Sequence, residues 1–386
     1  MKTLIVFSHL RWNFVFQRPQ HLLTRLSKYY NILFVEEPVN SGSVKLEISD
    51  VASNIKVIVP HLHEEGWGFT DPQMAAMGPM VKAWVDESCD VSDGYGIWFY
   101  TPSALPLKDY FTPEFTIFDV MDELSLFAGA PIHLKKREAE LLRTADVVTA
   151  GGPSLARAKQ GVRPDTLSLP SCVDAAHYSP RRACGAEVLT HDGDALQAHI
   201  SGPRIGFFGV IDERLDIDLV AAVADSNPRW QVVMVGPVVK IDPASLPKRP
   251  NIHYLGGQSY QILPQLVQGW DVCMMPFAIN DATKFISPTK TLEYMAAEKP
   301  IVSTAVHDVI ELYGDVVEIG YDHSEFIGNI EKLLHEEPTQ AAQRIITGTE
   351  IVARCTWDAT AEKIHDAIEA AIKAKKPGVQ SIRYVV

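Results

Sequence analysis

Short apolar runs rich in β-branched and aromatic residues alternate with helix-period segments along nearly the whole chain, and they do so in two successive series. The first comprises TLIVF (3–7), ILFVEE (32–37), IKVIVP (55–60), GIWFY (96–100), FTIFDV (115–120) and DVVTA (146–150). The second comprises RIGFFGV (204–210), QVVMVG (231–236), IHYLG (252–256), VCMMPF (272–277), PIVST (300–304) and VVEIG (316–320). Several runs are apolar without alternation, as strands buried on both faces of a parallel sheet must be. The pattern predicts an α/β protein with parallel sheets and helices on both faces. A chain of 386 residues also exceeds the roughly 250–300 at which single cores stop growing. The expected architecture is therefore two facing Rossmann-like domains.

The expected boundaries lie where periodicity lapses. Residues 1–180 form the first domain and 204–355 the second, with 181–203, containing RRACGAEV and HDGDALQ, as the linker. Residues 356–386 read as a final helix whose apolar positions Ala361, Ile364, Ile368 and Ile372 recur at near four-residue steps. That stripe needs a surface to cover, and the first domain is the expected one. Lys373, Lys375 and Lys376 complement the negative end of this helix. Open parallel sheets bind ligands outside the carboxyl ends of their strands, so two facing domains predict a site in the cleft between them.

Charge and motif content exclude several function classes. A net charge of −13 argues against nucleic acid as the main partner, since phosphate backbones are held by clustered Lys and Arg. The five cysteines are odd in number, far apart and without a C-x-x-C, which fits reduced thiols. The opening MKTLIVFSHLRWN lacks a signal-peptide pattern, and no 18-residue apolar segment occurs. The expected location is the cytoplasm, and a peripheral contact with the inner face of a membrane stays compatible with the sequence. There is no G-x-x-x-x-G-K-[ST], G-x-G-x-x-G or H-E-x-x-H. Asp192-Gly-Asp194 and Asp216-Ile-Asp218 match a D-x-D pattern only formally, and neither a metal nor another cofactor is expected to be required.

The segment SPTKTLEYMAAEKP, Ser287 to Pro300, places a lysine and a glutamate three residues apart at the start of an apolar helix. Leu292, Met295 and Ala296 share one side, while Lys290, Glu293 and Ala297 form a stripe on the other. Ser287 fits the N-cap and Pro288 the first helical position. A helix mouth carrying Lys290 attracts anions, and a carboxylate one turn deeper accepts hydrogen bonds from hydroxyls, which together describe a nucleotide's phosphate and ribose. An ordinary exposed i,i+3 ion pair explains the same spacing, and this segment alone does not separate the two.

The longer run MMPFAINDATKFISPTKTLEYMAAEKPIVST resembles the nucleotide-binding segment of GT-B glycosyltransferases of the family 4 type. Within that family the chain is most similar to a bacterial group that includes teichuronic-acid and other surface-polysaccharide transferases. The segments SHLRWNFVFQRPQHL, FDVMDELSLF, ADVVTAGGPSL, LPSCVD, IGFFGVIDERLDIDLV and NIHYLGGQSYQILPQLVQGWDVCMMPF carry the same likeness, which extends to the TWD near residue 358.

The resemblance implies that Glu293 holds the donor's ribose hydroxyls. It implies that basic residues after the first strand of the second domain hold the diphosphate, here Arg214, with Lys290, Ser287 and Thr289 beside it and Gly209 admitting the phosphates. The sequence departs from the family in having Phe285 where many members carry a first glutamate, and Val210 where they carry an arginine. Lys284, with Asn280 and Asp281, lies near enough in sequence to substitute. Glu298 stands where relatives often end the helix with glycine.

On the first domain, HLRWNFVFQRPQH comes directly after the first strand and so lies at a cleft edge. Arg11, Arg18 and His21 would offer basic groups to an acceptor, and Trp12 and Phe16 would stack on a sugar or lipid carrier; a core wedge is the alternative for the aromatics and an exposed charge the alternative for Arg18. Asp119 and Asp122 occupy the region where the family places a histidine near the transferred sugar, and one of them would orient or deprotonate the acceptor hydroxyl. The implied reaction is metal-independent transfer from a nucleotide diphosphate sugar to a glycan or lipid-linked hydroxyl, with retention. A nucleotide-sugar epimerase and a non-catalytic sugar-nucleotide-binding protein are the alternatives.

Overall fold

The computed structural model describes residues 1–127, 129–180 and 192–375. They divide into two compact units, residues 1–169 together with the helix from Trp357, and residues 170–356. The crossover at Leu169 precedes the expected boundary at 180, so Pro170 to Tyr178 belongs to the second unit. The first half of the expected linker, residues 181–191 with Cys184, lies outside the described residues, as do residues 376–386 with Lys376; Asp192–Gln197 is helical.

The first unit is built on a nine-stranded sheet. Its strands are β1 (Thr3–Ser8), β2 (Asn31–Glu36), β3 (Val39–Asn40), β4 (Lys45–Ala52), β5 (Ile55–Leu62), β6 (Tyr95–Phe99), β7 (Phe115–Val120), β8 (Val147–Ala150) and β9 (Leu167–Ser168). The order across the sheet is β3-β5-β2-β1-β6-β7-β8-β9, with β4 antiparallel on β5 and all other pairs parallel. The six expected strands are all present. The additional three are short or exposed, and β4 in particular shows no fully buried residue. Its KLEISDVA sequence alternates exposed and half-buried positions, so it carries no apolar run to read.

The final helix, Trp357–Lys375, is part of this unit. Ala361, Ile364, Ile368 and Ile372 are all buried, as a stripe at that spacing requires. Around it, Trp357 stacks on His21 at 4.8 Å, His365 stacks on Tyr29 at 3.8 Å, and Lys375 pairs with Asp146 at 2.7 Å.

The second unit has six parallel strands, β10 (Arg204–Phe208), β11 (Gln231–Val235), β12 (Ile252–Tyr254), β13 (Val272–Met275), β14 (Ile301–Thr304) and β15 (Glu318–Gly320). Their order is β12-β11-β10-β13-β14-β15. Counted from β10 this is 3-2-1-4-5-6, the doubly wound order in which the chain reverses direction between the first and fourth strands. That reversal lies between Phe208, which ends β10, and Met275, which ends β13. The helix Lys290–Ala296 connects β13 to β14 and packs beside the same strand ends, with Thr291 bonded to Met275 Sδ at 3.4 Å and the Tyr294 hydroxyl accepting from the Phe208 N–H at 3.1 Å.

Candidate active site

At the carboxyl end of β10 the chain makes an unusually close approach. Gly209 has φ of +144°, and a Cβ there would sit 2.2 Å from Cε of Lys290. Gly236, with φ of +149°, would place a Cβ 1.8 Å from the carbonyl oxygen of Gly209. Only glycine fits either position. Gly209 was expected to make room for phosphate; it makes room first for the stem of Lys290, whose ammonium lies 5.8 Å and 5.9 Å from the ring centroids of Phe207 and Phe208.

The helix that carries Lys290 is two turns long and begins at Lys290 itself. Thr289 stands at its N-cap with helical backbone angles and no side-chain cap, and Thr291 N–H bonds back to Pro288 in an i→i+3 turn. Ser287 is therefore not the N-cap expected from sequence; the tight turn at Pro288 replaces it. At the other end the Glu298 N–H donates to Met295 O, the Lys299 N–H donates to Tyr294 O, and Glu298 takes φ of 60°. This is a Schellman cap with glutamate in the left-handed position that glycine usually fills.

Glu293 is withdrawn from water and Lys290 is half-buried, and neither makes an ion pair within 4 Å among the described residues. Glu293 is 6% exposed. Burial raises its carboxyl to about 7, against the opposing pull of Lys290 and a hydrogen bond from Tyr178. Burial pushes the Lys290 amine below its ordinary value, and Arg214 pushes the same way, while Glu293 and Asp212 act against that shift. Among the described residues, the Glu293 carboxylate accepts one hydrogen bond, from the Tyr178 hydroxyl to Oε1 at 3.2 Å. Arg214 forms a fork on Asp212, with Nε 3.0 Å from Oδ1 and an Nη 2.7 Å from Oδ2.

The structure thus brings Gly209, Arg214, Lys290 and Glu293 together at the topological switch point, where doubly wound sheets hold ligands. The pair is not the exposed i,i+3 ion pair that its spacing also allowed. Ser287 and Thr289 lie half-buried in the turn before the helix, and Lys284 is exposed, its amine 5.2 Å from the Phe285 ring centroid. Asp212 and Tyr178 complete the cluster and were not singled out from sequence. Asp212 stood in plain view two residues before Arg214, whereas Tyr178 is separated from Glu293 by 115 residues and only the fold unites them.

The residues expected to serve an acceptor are placed differently. Arg18 is 3% exposed and clamps Asp119 through two 2.9 Å bonds, while its remaining Nη donates to Leu169 O at 2.8 Å. Asp119 is fully buried and also accepts from Thr149 at 2.7 Å. His21 is 3% exposed, stacked on Trp357 and edge-on to Phe16 at 4.7 Å. Arg18, His21 and Asp119 are interior partners of the first unit, which corrects their assignment to acceptor binding and catalysis. Arg11 pairs with Glu36 at 2.9 Å, and the Trp12 ring packs edge-on against Phe34 at 5.1 Å, so the wedge alternative describes Trp12. Asp122, in the bend after β7, is half-buried.

The D-x-D patterns serve the fold: Asp216 caps the helix Ile217–Ser226 and meets His323 at 2.9 Å, and Asp194 lies within a helix. Among the described residues, one group of potential metal ligands, His307, Asp308 and Glu311, has ligand atoms within 4.8 Å of one another, on the helix after β14. No described helix is long and apolar enough to cross a membrane.

Comparison with known proteins bears on the second unit first. Residues 202–336 match the family of glycosyl transferases group 1. They are a group 1 glycosyltransferase domain. This domain contains β10 to β15 and every residue of the cluster except Tyr178. A protein described as a teichuronic acid biosynthesis glycosyltransferase, TuaH of Bacillus subtilis (strain 168), is 28% identical over 257 residues, which span 62% of this chain and 63% of the relative. Over nearly the whole chain the fold is that of GT-B glycosyltransferase structures. A sucrose-phosphate synthase from Thermosynechococcus elongatus superposes with a TM-score of 0.74 at 14% identity, covering 97% of this chain and all of that one. Anabaena HepE, solved with UDP and glucose, gives 0.68 at 15%, covering 96% and 100%.

Proposed function

We propose that the protein transfers a sugar from a nucleoside diphosphate sugar to a carbohydrate or lipid-linked hydroxyl, in the synthesis of a surface polysaccharide. The observation that carries this reading is the couple of half-buried Lys290 and buried Glu293, which make no ion pair with each other and lie beside Arg214 at the switch point of the group 1 domain. Cation and carboxylate are held apart in low dielectric, an arrangement that is costly alone and is relieved by a ligand bringing an anion and hydroxyls together. A nucleoside diphosphate brings both. The likeness to TuaH supports the polysaccharide role, and that to HepE supports UDP as the first nucleotide to test.

In this reading Glu293 accepts hydrogen bonds from the ribose hydroxyls, while Lys290 and Arg214 face the diphosphate. As the bond from the anomeric carbon to the diphosphate oxygen breaks, its electron pair passes to the diphosphate. The acceptor oxygen bonds to the same carbon, and its proton passes to the departing diphosphate oxygen. Charge on the departing diphosphate grows along this path, so Lys290 and Arg214 stabilise the transition state more than the bound donor. Arg214 reaches the phosphates by sharing its fork with Asp212, and this stabilisation does the work of a metal. Asp122 is the remaining candidate to orient the acceptor hydroxyl. Retention without a covalent enzyme intermediate is the stereochemistry proposed.

A thermal-shift screen against UDP, GDP, ADP and dTDP sugars selects the donor, since a ligand specific to the folded state raises its melting temperature. Calorimetry on Glu293→Ala and Arg214→Ala then tests the site. Weakened nucleotide binding in both variants is expected, and unchanged affinity in both removes the proposed site.

A further inference from the structure

Tyr178 lies in the short helix Ala175–Tyr178, outside the matched domain, and is fully buried. Its ring is held on several sides. It stacks on Phe208 at 6.1 Å with planes 7° apart, and meets His177 and Tyr260 edge-on at 5.1 Å and 5.9 Å. Phe208 ends β10 and is itself fixed by the Tyr294 hydroxyl, so the tyrosine is anchored to the strand end that forms the site. The one polar atom of this ring points at Glu293 Oε1. No hydrogen bond from the described residues engages Oε2.

We propose that Tyr178 is a positioning residue that orients the Glu293 carboxylate, occupying one oxygen so that the other is presented to the donor's ribose. The inference rests on the ribose reading of Glu293 given above. A carboxylate at the end of a glutamate side chain has three rotatable bonds, and a single fixed donor to one oxygen removes most of that freedom before the ligand arrives. The hydroxyl also favours the charged form, which alone accepts from both ribose hydroxyls. The ionisable groups facing this carboxyl are Lys290 and Tyr294 from its own helix and Tyr178 from the helix packed against it; Arg214 and Asp212 bear on it through Lys290.

The test is Tyr178→Phe, which keeps the stacked ring and removes only the hydroxyl, with an unchanged melting profile as the check on folding. Calorimetry compares UDP with 2′,3′-dideoxy-UDP. The variant is expected to bind UDP about five- to tenfold more weakly, the scale of one hydrogen bond of ~1 kcal/mol, and to bind the dideoxy nucleotide as the wild type does. The pH at which UDP affinity falls is expected to move upward, because the lost hydroxyl no longer helps hold the carboxyl ionised. Equal losses for both nucleotides, or no loss for either, overturn the proposal. Glu293→Gln separates the two levels: if it leaves the preference for UDP over the dideoxy form intact, the ribose reading itself falls. If Glu293→Gln abolishes that preference and Tyr178→Phe retains it, only the role of Tyr178 falls.

Discussion

Each unit places an acid and a base near the carboxyl ends of its strands, and the two couples are treated in opposite ways. In the first unit Arg18 and Asp119 meet in a bidentate pair at 2.9 Å, and Thr149 and Leu169 O take up further hydrogen-bonding capacity. In the second unit Glu293 is removed from water and Lys290 is half-buried, yet they stay more than an ion-pair distance apart, and burial shifts each toward its neutral form. A satisfied pair holds elements together: Arg18 opens the helix Arg18–Leu26 and Asp119 sits in β7, so their bond ties helix to sheet. An unsatisfied couple is costly to the fold and persists where a ligand completes it. The sequence shows a base and an acid in both places, and only the geometry distinguishes a strut from a site.

The largest effect is expected at the strut. Asp119→Ala leaves the Arg18 guanidinium buried without its counter-charge and is expected to destabilise the protein by about 3–5 kcal/mol, measured by urea unfolding. At the site the sign of the stability effect differs. Lys290→Met removes a half-buried cation that burial pushes toward its neutral form, so its unfolding free energy should equal or exceed that of the wild type, while UDP affinity in calorimetry falls roughly 10- to 100-fold.

The pH dependence sharpens the contrast further. The folded-state carboxyl of Glu293 lies at about 7, above the ordinary carboxylate range, so the native state binds the extra proton. Its contribution to stability is complete at low pH and is lost as pH rises from the ordinary range through about 7. Between pH 5 and pH 8 the wild type should therefore lose about 1–3 kcal/mol more stability than Glu293→Gln, read from melting curves at both pH values. The smallest effect concerns the helix itself. Glu298→Gly relieves the left-handed glutamate at the cap and is expected to add ~0.5–1 kcal/mol, leaving nucleotide affinity unchanged. A gain in stability that also altered binding would show that the couple's geometry depends on strain in its own helix.

How much of this was legible in the sequence divides along the same line. The strands that build the two sheets announce themselves because parallel strands covered on both faces are apolar throughout. The helix of Lys290 and Glu293 was readable from spacing, and so was the surface-seeking stripe of the final helix. The left-handed cap was foreshadowed by Glu298 in a position that favours glycine. Arg18 and His21 misled because proximity to a strand end in sequence does not say which way a side chain turns, and both turn inward. Tyr178 had no local signal at all, since its meaning comes from a contact across more than a hundred residues. The boundary at Leu169 was missed for a related reason: the segment after it has no strand of its own and is claimed by the second unit through contacts such as Val173 with Thr356 and Tyr178 with Glu293.

The most direct test of the central claim is a crystal structure of the protein with UDP. The ribose hydroxyls are expected within hydrogen-bond distance of the Glu293 carboxylate and the diphosphate against Lys290 and Arg214, with the Arg214 fork on Asp212 loosened. A nucleotide seated elsewhere, with Glu293 still touched only by Tyr178, would contradict it.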